Sequence, residues 1–118
     1  MKNITISVIT AEEAYAIQET NSAARIKKYV DMEVKVIENI TAMINVMLRA
    51  SESPSIYVDI KNDMLKDLPS EYALDAMHAI EQAYRNAGHK VWLHEYSAQT
   101  KKANGKSFSL SLWYDKDA

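Results

Sequence analysis

Residues 22–50 read SAARIKKYVDMEVKVIENITAMINVMLRA, and this stretch decides the fold. It contains neither glycine nor proline, its pattern is helical throughout, and Pro54 bars continuation, so it predicts one long helix over about 22–50. A helix of about 30 residues measures roughly 45 Å. A compact domain of 118 residues has a diameter of roughly 35 Å. The helix is therefore expected to extend beyond its own domain.

The predicted helix carries two adjoining apolar stripes. They consist of Val30, Val34, Ile37, Ile44 and Leu48, and of Tyr29, Met32, Val36, Ile40, Met43 and Met47. Together they cover about 200°, against the roughly 100° that packing on one sheet requires. The excess predicts a homo-oligomer through the long helix; alternatively, the first helix or loops of the same chain cover it. Glu33 falls inside this sector and is expected to pair with a basic residue such as Arg25.

The segment ahead of the long helix predicts a strand and a helix start. Apolar side chains alternate along residues 3–9, which is the period of a half-buried strand. Thr10 then opens a capping box, so that a helix begins there. Poor helix formers just before Ser22 could kink this helix or restart it. Whether 11–18 and 22–50 form one helix or two is left open.

The second half of the chain predicts strands on either side of a shorter helix. Residues 55–60 alternate as a strand, and Pro69 opens a helix that Gly88 ends. Residues 91–96 and 108–114 alternate again and predict a hairpin. The order is thus β-α-β-α-β-β. We predict a single α+β domain over 1–118, a four-stranded, largely antiparallel sheet with helices packed on one face.

The sheet face turned away from the helices is predicted to bind a ligand or another protein. It would carry Tyr57, Trp92, His94, Tyr96 and Trp113, together with Asp59 and serines at 107, 109 and 111. Aromatic side chains on an open sheet face can stack bases, seal a subunit contact or hold a ligand. Nucleic acid is the weakest of these choices, because the face itself offers no basic groove.

A basic cluster lies near the start of the predicted long helix. It consists of Arg25, Lys27 and Lys28. If Ser22 caps a new helix, the positive end of the helix dipole adds to these charges and favours a small anionic ligand. The alternative is that the three side chains are ordinary solvated charges.

Composition argues against several classes of function. Lys and Arg total 14 against 16 Asp and Glu, a formal charge of −2, which argues against general nucleic-acid binding. The chain has no cysteine, and its histidines lack metal-ligand spacing. Phosphate-binding loops and nucleophile elbows are also missing from the sequence. We therefore predict no cofactor, no metal and no enzymatic activity, and, without a long apolar run, a cytoplasmic location with no membrane contact.

Several short motifs resemble those of small uncharacterised α/β proteins that tailed bacteriophages encode in accessory regions. They are residues 9–14, 55–58 and 79–91, with the final strand that bears Trp113. The resemblance implies a protein of the host cytoplasm that blocks host factors or sequesters nucleotide signals, or a minor virion component. We therefore expect a non-enzymatic, self-associating protein that binds a host protein or a small anionic, nucleotide-like molecule. The alternatives are a structural or virion-assembly component and a small enzyme of unknown type.

Overall fold

The computed structural model describes residues 5–65, 67–97 and 106–115. Its elements are α1 (Ala11–Ala50), β1 (Ser55–Ile60), α2 (Asn62–Leu65), α3 (Ser70–Asn86), β2 (Lys90–Ser97) and β3 (Lys106–Trp113). The protein is therefore α+β, with one long helix and the order α-β-α-α-β-β when the four-residue α2 is counted. The predicted order β-α-β-α-β-β is wrong.

Within the residues that the structure describes, the sheet has three strands in the order β1-β3-β2, so the predicted four-stranded sheet is wrong. Both neighbours of β3 run antiparallel to it. Leu110 of β3 lies opposite Val58 of β1 and Leu93 of β2. The strand that comes last along the chain thus forms the middle of the sheet, and β1 and β2 are its edges.

The strand predicted over 3–9 does not form in the part of it that the structure describes. Residues 5–10 have no regular secondary structure, and Ile6 and Val8 are exposed. Residues 3 and 4 lie outside the described ranges. The physical reason is distance: this segment is attached to the far end of α1, roughly 27 Å along the helix from Tyr29, where α1 contacts Tyr72 of α3. Alternation with a period of two depends only on local sequence, so it does not show whether the edge strand of a sheet lies close enough to pair with the segment.

α1 is one helix of 40 residues, so 11–18 and 22–50 belong to a single helix that begins before the predicted bound at about 22. Thr10 is the N-cap, and its hydroxyl accepts a hydrogen bond from the Glu13 amide at 3.1 Å, as the capping box predicts. Inside the poor helix formers, the Thr20 hydroxyl donates to the Ala16 carbonyl at 3.0 Å. A threonine bonded back in this way fits inside a continuous helix at a small cost.

The core lies between the two long helices and one face of the sheet. α1 contributes Val36, Ile40 and Ile44, all fully buried. The other buried members include Met77, Ile80 and Tyr84 of α3 and Val58, Ile60, Val91, Phe108, Leu110 and Leu112 of the sheet. Burial of these side chains is the main stabilising term of the fold.

α3 ends as its sequence predicts. The helix closes at Asn86, and Gly88 follows the C-cap residue with φ of +98°. Glycine adopts this left-handed conformation without the steric strain that a Cβ atom would add. The His89 amide donates to the Tyr84 carbonyl at 3.0 Å, which directs the chain into β2.

The molecule is elongated because α1 extends well past the core. Its extents are 89 × 31 × 19 Å and its radius of gyration is 21.7 Å. A compact chain of this length would have a radius of gyration of about 13 Å. The expectation that the long helix overshoots its domain is therefore confirmed.

Candidate functional site

The first candidate surface is the open face of the sheet, which the helices do not cover. Residues that alternate with the buried ones face away from α1 and α3. Ser111 of β3 lies opposite Tyr57 on one side and Trp92 on the other. Tyr57 is 54% exposed and Trp92 is 57% exposed. Two large aromatic side chains therefore flank a small one on this face.

The next row of the open face is polar. Ser109 lies opposite Asp59 of β1 and His94 of β2. Although Ser109 is on the side away from the helices, only 1% of its surface is exposed. Its short side chain lies in the central strand between the longer side chains of Asp59 and His94.

His94 of the polar row contacts Trp92 of the aromatic row. Its ring centroid lies 4.0 Å from that of Trp92, with the planes inclined at 49°. At this distance the two rings are in contact. The predicted ligand-binding residues Tyr57, Trp92 and His94 thus share one face.

The structure shows less about the other two residues predicted on this face. Trp113 is partly buried and lies opposite Ser55 and Lys90, at the end of the same face. The backbone of Tyr96 pairs with Ser107, and its side chain lies outside the described part of the structure. Ser109 was predicted on this face but not as a ligand-binding residue, and the strand register places it between Asp59 and His94.

The predicted basic cluster does not lie at a helix N-terminus. Because α1 begins at Ala11, the amide groups around Ser22 are engaged within the helix, and the proposed dipole contribution is lost. Arg25 and Lys27 point about 160° apart around the helix axis at 100° per residue. Arg25 and Lys28 are about 60° apart and Lys27 and Lys28 about 100° apart, so the structure does not gather all three charges at one point on the helix.

Lys27 and Lys28 line a shallow groove on one side of α1. Its volume is about 410 Å³, and it is lined by Ala24, Lys27, Lys28, Asp31, Met32 and Lys35. The Lys27 ammonium group lies 3.2 Å from the Asp31 carboxylate, and both side chains are largely exposed. Exposed ion pairs of this kind are worth little. The groove is an apolar stripe with charged edges.

Glu33 does not form the expected ion pair with Arg25. Arg25 lies eight residues, or about 12 Å, further along the helix. Burial, and then the nearby Asp75 carboxylate, raise the pKa of Glu33 above its ordinary value. Both effects disfavour the ionised form. Glu33 lies at the boundary between the buried and exposed parts of α1.

The second candidate surface is the N-terminal part of α1, which we call the arm and define as residues 11–28. Ala14 and Ser22 are partly buried and every other arm residue is exposed. The exposed residues include Tyr15, Ile17 and Ile26. By contrast, the α1 residues that join the core cluster run from Met32 to Leu48. The arm is therefore a helix whose apolar side chains face solvent.

Among the residues that the structure describes, no group of three metal-binding side chains is arranged to hold an ion. Within the same ranges, none of the helices combines the length and apolarity that crossing a bilayer requires. Comparisons of the chain with protein-family models, with curated proteins and with solved structures gave no match. The two surfaces must therefore be interpreted from their own chemistry.

Proposed function

We propose that the protein is a non-enzymatic, self-associating binding protein. In this proposal the arm joins copies of the chain, and the open face of the sheet contacts a partner protein. The observation that carries the proposal is the arm itself, a helical extension with exposed Tyr15, Ile17 and Ile26 on a molecule 89 Å long.

The arm supports self-association because an isolated helix of this length is marginal in water. Continuity with the packed part of α1 removes the nucleation cost, but it does not cover the apolar side chains. Tyr15 and Ile26 lie on one side of the arm and Ile17 on the other, and a contact with a second molecule would remove this exposed apolar surface from water. Pairing with the same surface of another copy is the commonest way to cover it.

The open sheet face supports a protein partner better than a nucleic acid or a small anion. Its aromatic residues Tyr57 and Trp92 are of the types enriched where proteins bind each other. A formal charge of −2 and Asp59 on the face disfavour phosphate-rich ligands. The small-anion alternative also loses the helix N-terminus on which it depended. The resemblance to phage accessory proteins makes a host protein the proposed partner.

A second candidate function, a structural or assembly component, is favoured by the shape. A rod-like extension on a small folded body is suited to linking copies into a larger assembly. In that case self-association would be the whole function, and the open sheet face would form a further contact between copies.

Light scattering coupled to gel filtration tests the proposal. The chain of 13.4 kDa is expected to elute with at least twice that mass at micromolar concentration. Ile26→Asp in the arm should lower the mass to that of one chain without lowering the melting temperature, because it places a charge in the contact. Val46→Asp is the matched control, since Val46 is equally apolar, exposed and on α1 but outside the arm.

A monomer at every concentration would contradict the proposal. Equal loss of mass in the Ile26→Asp and Val46→Asp variants would also contradict it, because the contact would then not be specific to the arm.

A further inference from the structure

Residues 5–10 have the alternating sequence of a strand, but the sheet of their own chain is out of reach. Ile6 and Val8, on one side of the alternation, are 78% and 77% exposed. Six extended residues span at most roughly 20 Å. The start of α1 lies roughly 27 Å along the helix from Tyr29, which contacts α3. The segment therefore cannot cross this gap and also pair along a strand of the same chain.

The two edges of the sheet differ in how open they are. Arg85 of α3 donates to the Val91 carbonyl of β2 at 2.9 Å, so a side chain of α3 occupies part of the outer edge of β2. β1 carries neither lysine nor proline, the residues with which proteins often protect an edge strand. β1 is therefore the better edge for a further strand.

The backbone of β1 is arranged for pairing on its outer side. The Tyr114 amide donates to the Pro54 carbonyl at 3.3 Å, directly ahead of the ladder between β1 and β3. Hydrogen-bonded pairs alternate along an antiparallel ladder, so residues 56, 58 and 60 bond to β3, and the backbone of 55, 57 and 59 is directed outward. The Ser55 amide donates to Ser53 Oγ at 3.2 Å, and a further strand is accordingly placed along the rest of β1.

The part of the core next to β1 is incompletely covered. Asn45 accepts a hydrogen bond from Tyr84 at 2.6 Å, so its side of α1 faces α3. Met43 and Met47 are each about 160° around the helix from Asn45 and face away from α3, toward the β1 edge. Both are only partly buried, as is Ile56 of β1. We call Met43, Met47 and Ile56 the methionine flank.

We infer that residues 5–10 of one copy add as a strand to the outer edge of β1 in a second copy. The inference rests on the proposed self-association and adds a contact to that of the arm. The chain by itself keeps its three-stranded sheet, because the added strand belongs to another molecule. Since each copy has one such segment and one such edge, two copies can exchange segments, and the assembly closes after two subunits.

The two faces of the added strand match the two faces of the sheet. Ile6 and Val8 lie on the helix side and cover the methionine flank, where all of these side chains leave water. Methionine is flexible and adapts to a surface that packs on it. Thr5 and Ser7 lie on the open face, beside Asp59. Addition of a strand to a sheet edge is a general mode of recognition, in which the alternating side chains determine the fit.

Cysteine crosslinking tests the strand, because the chain contains no cysteine. Paired strands lie about 5 Å apart, within the roughly 7 Å limit between Cα atoms for a disulfide. Asp59→Cys is mixed with a second single-cysteine chain that carries a size tag, so that only contacts between copies are counted. Thr5→Cys or Ser7→Cys should form the mixed disulfide, since both share the open face with position 59. Ile6→Cys and Val8→Cys are the matched controls and should not, since they lie on the opposite face.

The outcomes separate the strand from the self-association. Equal crosslinking at positions 5 to 8, or none at any of them, in a chain that is dimeric by light scattering would overturn the added strand and leave the self-association intact. A chain that is monomeric at every concentration and forms no mixed disulfide would overturn both.

Two neighbouring lysine substitutions test the placement of the faces. Val8→Lys should raise the dissociation constant of the dimer by about tenfold or more, because it places a charge against the methionine flank. Ser7→Lys should change it by less than about threefold, because Ser7 remains at the surface. Both residues are exposed in the single chain, so neither variant should lower the melting temperature of the monomer. Equal effects on the dissociation constant would show that Val8 does not face the flank.

Discussion

The two parts of α1 have the same regular backbone but different surroundings. Between Met32 and Leu48 the helix packs on α3 and the sheet, and Val36, Ile40 and Ile44 are fully buried. Along the arm the side chains face solvent. Hydrogen bonding within the helix is alike in both parts, so we expect packing to make the core-facing part the more stable of the two.

This difference separates two roles within one helix. The packed part is required for the monomer to fold, because apolar burial is the main favourable term in folding. The arm adds no core residue and is available for contact with another molecule. Substitutions in the packed part should therefore affect folding, and substitutions in the arm should affect assembly.

The largest expected effect compares one isoleucine from each part. Ile40→Ala should lower the free energy of unfolding by about 2–5 kcal/mol, since it leaves a cavity in the core. Ile26→Ala should change the unfolding of the monomer by less than about 0.5 kcal/mol. Urea denaturation at a concentration that keeps the chain monomeric measures both. Equal effects would show that the arm is also part of the folded core.

A smaller effect is expected at a hydroxyl that joins α3 to the packed part of α1. The Tyr84 hydroxyl donates to Asn45 Oδ1 at 2.6 Å and lies 3.3 Å from the Thr41 carbonyl oxygen. Tyr84→Phe should cost about 1 kcal/mol at neutral pH. Tyr15→Phe in the arm should cost nothing measurable, because Tyr15 is largely exposed.

The same tyrosine predicts a pH dependence at the alkaline end. Burial raises the pKa of Tyr84 above its ordinary value. Its contribution to stability is therefore complete below the unfolded-state pKa of about 10 and is lost as the pH rises through the higher folded-state pKa. The difference between the natural chain and Tyr84→Phe should shrink in that range. A difference that stays constant would contradict the assigned burial.

The smallest expected effect is at Glu33, between the two parts. Because the pKa of Glu33 is raised by burial and by Asp75, its contribution is most favourable below the unfolded-state pKa and is lost as the pH rises through the folded-state pKa. Glu33→Gln should therefore be slightly more stable than the natural chain at pH 7 and should show no such advantage at pH 4. Thermal melts at both values measure this, and an advantage independent of pH would exclude a titrating Glu33 as its source.

The sequence predicted what depends on local chemistry. The Thr10 cap, the end of α3 at Gly88 and the shared face of Tyr57, Trp92 and His94 all follow from capping, backbone freedom or the period of a strand. The sequence did not predict features that depend on the distance between two parts of the folded chain. Residues 3–9 alternate like a strand, but α1 holds the described part of that segment far from the sheet.

The continuity of α1 was also beyond sequence reasoning. The poor helix formers before Ser22 weaken a helix without breaking it, and the Thr20 hydroxyl donates a hydrogen bond to the Ala16 carbonyl of the preceding turn. Neither propensity nor pattern decides that choice. The basic residues were then assigned to a helix N-terminus that does not exist, because α1 begins at Ala11.

Amide hydrogen exchange at two protein concentrations tests most directly whether the arm is a contact surface and not part of the monomer core. In dilute solution residues 11–28 should exchange quickly and residues 32–48 slowly. At a concentration at which the chain is associated, the arm should become protected while 32–48 stay unchanged. Arm protection that is the same at both concentrations would contradict the account.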